Sequence, residues 1–282
     1  MVLNNLINDE KQNIEKYPAI QVPSRLQDIF LLDTISDDYR FKNFDTYEFQ
    51  GIPVPRVSNI LKECIAKEFL ISWAAKIGQQ QYLIERNTAT TIGSRTHEMI
   101  ENFLTTGTDL NLEYKTAPNY MKSVNIAYSN FKAWIDNLES LGYKIEKIWA
   151  IEQKVTCPYY GGTIDCIMQI NGAIYIVDFK TSKQISYEYI IQTCAYMWIV
   201  NNGYFSEISH IDGIGIIRID KEKKGKFEDL FLNEHIPYQK EIINHYIAGF
   251  GSLLNAYYHN IDMKIQFSNY KKIYDFEETI SC

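Results

Sequence analysis

The chain has 282 residues, of which 46% are hydrophobic and 22% charged, with a net charge of −7. That length can bury one large core or two small ones, and the balance is that of a globular protein, which excludes a disordered or fibrous chain. The negative charge argues against coating duplex DNA by bulk electrostatics, though not against a local basic channel or a cluster of carboxylates gathered around cations.

No apolar run approaches the roughly 20 residues needed to span a bilayer, so no membrane partner is expected. The opening "MVLNNLINDEKQNIEKYP" has acidic residues and no apolar stretch, unlike a secretory signal, and a cytoplasmic location is expected. The five cysteines, Cys64, Cys157, Cys166, Cys194 and Cys282, are scattered and form no C-x-x-C pair. They read as reduced thiols and core filler, with neither zinc nor an iron–sulfur cluster.

Along the chain, residues 1–45 are polar and irregular. "YEFQGIPVPRVSNIL" reads as a short strand or turn followed by a helix start, with Pro53 and Pro55 extended and Ser58 able to cap. The helical pattern continues through "LKECIAKEFLISWAAKIG", with Leu61, Cys64, Phe69, Ile71 and Trp73 as candidate core and Gly78 as its stop. A second helix is expected over roughly 88–104, where Met99, Ile100, Phe103 and Leu104 follow the 3.6 period. "PNYMKSVNIAYSNFKAWIDNLESLG" is a third, with Pro118 near its start and Gly142 just past its end.

The period then changes. "KIWAIEQKV", "GGTIDCIMQI" and "AIYIVDFKT" read as three strands joined by hairpins, "YEYIIQTCAYMWIVNN" as a helix and "IDGIGIIRID" as a fourth strand. A charged turn "KEKKGK" and a C-terminal helix "IPYQKEIINHYIAGFGSLLNAYYHN" come after it. The expected fold is α/β: a mixed sheet of four or five strands flanked by helices, roofed by a helical region. The expected division is 1–46 as an extension, 47–145 as the helical region and 146–282 as the core, with 47–282 one compact unit.

Asn171-Gly172 is the strongest short hairpin signal, a two-residue type I′ turn. With Ile170 facing Ala173, the register sets Asp165 opposite Asp178. At about 5 Å and an effective dielectric of about 20, two such charges repel by roughly 3 kcal/mol, which a cation between them, or a proton kept on one of them, would relieve. A four-residue loop over Cys157–Tyr160 would also bring Glu152 opposite Asp165. Lys180, two residues after Asp178, lies on the same face. Such a carboxylate row suits Mg²⁺ or Mn²⁺, which polarises a phosphodiester, while Lys180 orients or deprotonates water.

These residues, "GGTID…IVDFKT", resemble the PD-(D/E)XK nuclease superfamily. The match sharpens to its RecB-like branch through "GSRTH", Gly93 to His97, before the core and "QTCAY", Gln192 to Tyr196, after it. "VPRVSNIL…WAAKIG" is also similar to phage and mitochondrial genome-maintenance exonucleases of that branch. The resemblance spans roughly residues 47–200 and implies a restriction-endonuclease-like core. It implies Asp165, Asp178, the Phe179 carbonyl and His97 as metal ligands, Lys180 as the catalytic lysine, and a catalytic part for Glu152. Gln192 and Tyr196 would position Lys180 or substrate phosphates. Arg95 and Lys183 are candidate phosphate contacts, and Glu101 shares the helix face of His97.

The expected function is Mg²⁺- or Mn²⁺-dependent DNA hydrolysis, as an exonuclease on single strands or duplex ends, in phage-type replication, recombination or repair. A helicase or recombination protein is a candidate partner, since the chain has no G-x-x-x-x-G-K-[ST] motor motif. The alternatives are a sequence- or structure-specific endonuclease, a non-catalytic nucleic-acid-binding subunit, and a scaffold with an incidental charge row.

Overall fold

The structure, a computed structural model, describes residues 46–66, 68–110 and 119–280. The expectations for residues 1–45 and for Pro118 lie outside the described residues, as does the side chain of Phe69.

The architecture is α/β. Five strands, β3 (Ile145–Thr156), β4 (Gly161–Ile170), β5 (Ala173–Lys180), β6 (Gly213–Ile219) and β7 (Phe227–Asn233), form one sheet in the order β3-β4-β5-β6-β7. Only β5 and β6 run parallel. Parallel neighbours need a crossover, which helix α5 (Tyr187–Ile199) and the π-turn Val200–Tyr204 supply. A smaller hairpin, β1 (Thr46–Phe49) and β2 (Ile52–Pro55), turns through Gln50 and Gly51, both at positive φ. It lies against the start of β4, where the Tyr47 hydroxyl meets Thr163 Oγ1 at 2.6 Å.

Helices cover both faces of the sheet. On one, α1 (Val57–Cys64), α5 and α6 (Pro237–Ile280) bury Ile164, Ile176, Ile214 and Ile216 against Cys194, Phe250 and Leu254. On the other, α3 (Gln79–Thr106) and α4 (Met121–Ser140) bury Met168, Val177, Phe179 and Ile217 against Met99, Phe131 and Trp134. Alternation along β5 and β6 therefore feeds two cores, as expected for strands covered on both sides.

Local signals set several boundaries. Asn171 and Gly172 both take positive φ, 47° and 85°, and the β4–β5 ladder runs from Ile170↔Ala173 to Cys166↔Val177 as the type I′ turn requires. Cys157 to Tyr160 form the short loop between β3 and β4, closed by Cys157 N–H donating to the Tyr160 carbonyl at 2.9 Å. Gly142 succeeds α4 in the left-handed conformation.

Other expectations give way. Arg56, not Ser58, occupies the cap of α1, and no side chain caps it. The single long helix expected through Gly78 is broken: α1 ends at Cys64, Ile65 is extended, and α2 (Glu68–Ile77) begins anew. Ile71, read as core, is 68% exposed. Helix α3 starts at Gln79, nine residues before the expected 88, and α6 continues to Ile280. Strand β7 is absent from the expected elements. Its Glu228, Asp229 and Asn233 obscure the alternation, which a sheet edge tolerates because one side is wet.

One close approach ties strand β4 to helix α5. A Cβ on Gly162 would lie 2.3 Å from Cε1 of the buried Tyr196 ring. We predict that Gly162→Ala lowers stability by about 1–3 kcal/mol in urea unfolding, because neither the strand nor the ring can retreat. Pairing it with Tyr196→Leu should recover part of the loss.

Candidate active site

The site forms where β3, β4 and β5 meet the middle of α3. The β4–β5 backbone ladder stops at Cys166↔Val177. Beyond it, the Asp165 carboxylate replaces a backbone acceptor: Oδ2 takes the Phe179 N–H at 2.9 Å. Across the other flank, Ile151↔Cys166 and Gln153↔Ile164 bracket Glu152 and Asp165, so these acids lie opposite each other, as the loop length predicts. Glu152 itself has φ +47°, a left-handed conformation that non-glycine residues rarely take within a strand. Backbone held in this way costs on the order of 1–3 kcal/mol and needs a surrounding structure that enforces it.

Helix α3 brings His97 to this pair. Its Nδ1 lies 3.6 Å from Asp165 Oδ2 and 3.9 Å from Glu152 Oε1. Its Nε2–H donates to the Phe179 carbonyl at 2.9 Å. A neutral ring with that proton on Nε2 would point the Nδ1 lone pair at two carboxylates. Burial pulls the His97 pKa down, but Asp165, with help from Glu152, outweighs it and raises the pKa overall. One ligand atom each from His97, Glu152 and Asp165 lies within 4.8 Å of the others. An imidazole whose far N–H is anchored on a backbone carbonyl is the arrangement found for metal-ligating histidines.

Asp178 and Lys180 stand beside this group. Asp178 is 2% exposed; its Oδ1 accepts from Lys180 Nζ at 2.7 Å, and its Oδ2 is buried with no hydrogen-bond partner. Burial pushes its carboxyl up to about 6, against the pull of Lys180, with Asp165 adding to the rise. Burial alone would lower the Lys180 pKa; Asp178 and then Asp165 reverse this and raise it. Lys180 thus stays an ammonium, and it also sits 5.2 Å from the centre of the Tyr189 ring.

An open cleft of about 580 Å³ fronts the group, lined by Gly93, Ser94, His97, Glu98, Glu101, Glu152 and Asp165. Gly93, His97 and Glu101 form one i, i+4 row on α3, and Ser94 and Glu98 form the next. The outer face of that helix stretch is therefore given to the cleft, while Ile92, Thr96, Met99 and Ile100 are buried.

Several expected roles change. The cluster centres on Glu152, Asp165 and His97, and Asp178 lies outside it, turned to Lys180. The Phe179 carbonyl, expected as a ligand, is the acceptor that orients His97. Lys180 is held by Asp178, with its Nζ donating to Oδ1 at 2.7 Å. Gln192 Nε2 donates to the Tyr196 hydroxyl at 3.2 Å, and Tyr196 is 4% exposed with its ring on Gly162, so the pair buttresses the site from within. Neither lines the cleft. Arg95 pairs with Glu98 at 2.6 Å and so steers a cleft-lining acid. Lys183 is exposed in the loop after β5. Ser94 and Glu98 were not singled out from sequence, although helical spacing from Gly93 and His97 would have found them.

The donor set tests well for a hard divalent ion. Two carboxylates and one imidazole converge, and a third carboxylate has a buried oxygen with no partner. Among the described residues the cysteines are free thiols, three of them buried, and none belongs to this group. No helix among the described residues is long and apolar enough to cross a membrane. No protein-family model matches the chain, and no curated protein matches it.

Protons on His97 and Asp178 compete with a bound cation, and both groups hold them to higher pH than usual. We predict that Mn²⁺ affinity measured by calorimetry rises with pH as Asp178, at about 6, and His97 lose their protons, and that binding in that range releases protons. Asp165→Asn should abolish the binding.

Proposed function

We propose that the protein is a divalent-cation-dependent nuclease of the PD-(D/E)XK superfamily, with a restriction-endonuclease-like core and the helical region of the RecB-like branch. The observation that supports this best is convergence. His97 comes from a helix and Glu152 and Asp165 from neighbouring strands, with the Asp178–Lys180 pair beside them. Those residues are far apart in sequence, and an incidental strand-end charge cluster gives no reason for a helix to deliver a histidine to it.

In this reading His97, Glu152 and Asp165 hold Mg²⁺ or Mn²⁺, with the open oxygen of Asp178 available beside them. Such an ion supplies Lewis-acid polarisation of a phosphodiester. The chain's own residues do the rest. Phe179, through its carbonyl, fixes the ring of His97, and through its N–H it fixes Asp165. Lys180, kept charged by Asp178, offers an ammonium to the negative charge that grows on the phosphate oxygens. Gln192 and Tyr196 close the inner side of the site, so water reaches it from the cleft.

The preferred substrate is a DNA single strand or duplex end, cut as an exonuclease, with α3 supplying one part of the cleft lining. A role in phage-type replication, recombination or repair, beside a helicase or recombination partner, belongs to the same proposal.

Digestion of end-labelled oligonucleotides in Mn²⁺ and in EDTA tests it, with covalently closed circles as controls. Linear substrates should shorten only with the cation, and circles should survive. Asp178→Ala and Lys180→Ala should each lower the rate by at least about 100-fold. Equal rates in both variants would refute the assignment, and cutting of circles would move it to an endonuclease.

A further inference from the structure

Most glycines of this fold have a visible reason to be glycine. Gly51, Gly78, Gly107, Gly142, Gly172, Gly203 and Gly225 take positive φ. At Gly161, Gly162, Gly213 and Gly215 a Cβ would fall within 3 Å of a neighbour. Gly93 has neither reason. It lies inside the 28-residue helix α3, where glycine is the least favourable residue after proline. A Cβ there would meet Thr181 Oγ1 alone, at 3.6 Å, which is ordinary van der Waals contact. The fold would accept alanine at this position and gain helix stability from it.

Gly93 does line the cleft, one helical turn before His97. Glu152 and Asp165, from the sheet, line the same cleft. Four carboxylates, those of Glu98, Glu101, Glu152 and Asp165, surround the space, so an anionic ligand enters only with cations and cannot be pushed outward toward the acids without cost. Any methyl added on the helix side takes room from the ligand where it must pass closest to His97.

We propose that Gly93 is a substrate-clearance residue: its missing side chain leaves the gap through which the sugar–phosphate backbone of a polynucleotide strand passes between α3 and the Glu152–Asp165 pair. The inference rests on the nuclease reading for the identity of the ligand. It rests on the glycine geometry alone for the existence of the gap. Gly93 is a positioning residue here, since it holds no reacting atom.

Gly249 provides the control. A Cβ there would have no neighbour within 4 Å, and its φ is not positive, but it is exposed on α6 and does not line the cleft. Gly93→Ala and Gly249→Ala are compared with wild type in three measurements. These are the melting temperature in EDTA, affinity for a cleavage-resistant phosphorothioate oligonucleotide in Mn²⁺ by fluorescence anisotropy, and KM and kcat on the natural linkage. Both variants should melt about 1–4 °C higher than wild type. Gly93→Ala should weaken oligonucleotide binding and raise KM by at least about tenfold, with Mn²⁺ affinity retained, and Gly249→Ala should change neither.

A lower melting temperature for Gly93→Ala would show that the glycine serves packing, and unchanged binding and KM would show that no strand uses the gap; either overturns the proposal. A wild type that binds the oligonucleotide without cutting it sinks the hydrolytic reading alone, and the anisotropy comparison then decides the role of Gly93. A wild type that neither binds nor cuts overturns both.

Discussion

Negative charge is crowded at one end of the sheet, and the local structure is organised by the need to balance it. Glu152, Asp165 and Asp178 come from three adjacent strands, and like charges repel strongly where water is scarce. Two nitrogen-bearing side chains answer them. Lys180 takes Asp178, and His97 reaches Glu152 and Asp165 from outside the sheet. Both side chains are partly withdrawn from water. The balance remains incomplete, because one oxygen of Asp178 is buried without a partner. A divalent ion would complete it.

The backbone also departs from regular pairing at the site, in addition to the register shifts near the start of β3. The β4–β5 ladder ends where the Asp165 side chain takes over the Phe179 N–H, and Glu152 opposite has a left-handed φ. Regular pairing would have sent the Glu152 and Asp165 side chains along the ordinary pleat. Both acids lie within 4 Å of the His97 ring. Strain at this point therefore has a consequence in the site, and the well-packed aromatic cluster of Phe131, Trp134 and Phe179 beneath it supplies rigidity. Phe179 links the layers: its ring is in the core, its N–H holds an acid and its carbonyl holds the histidine.

What the sequence disclosed, it disclosed through local chemistry. Asn171-Gly172 announced a turn whose register came by counting, and the Cys157–Tyr160 loop placed Glu152 against Asp165 in the same way. Helical spacing from His97 pointed to Glu101. Tertiary choices were hidden. The Phe179 carbonyl could not be assigned to His97 without knowing where α3 crosses the sheet. The ion pair of Asp178 with Lys180 depends on a burial depth that no spacing encodes. Glu152 gives no warning of positive φ, since glutamate has no preference for it. Strand β7 escaped because an edge strand with Glu228 and Asp229 lacks clean alternation, and the break after Cys64 because no proline or glycine marks it.

A divalent ion seated among His97, Glu152 and Asp165 is the central requirement. Crystals grown with Mn²⁺ and measured at a wavelength where manganese scatters anomalously would test it directly. The expected result is one strong anomalous peak within about 2.1–2.3 Å of the His97 imidazole and the Asp165 carboxylate, with Glu152 or Asp178 beside it. The absence of a peak there at saturating Mn²⁺, with His97 still paired to the two acids, would contradict it.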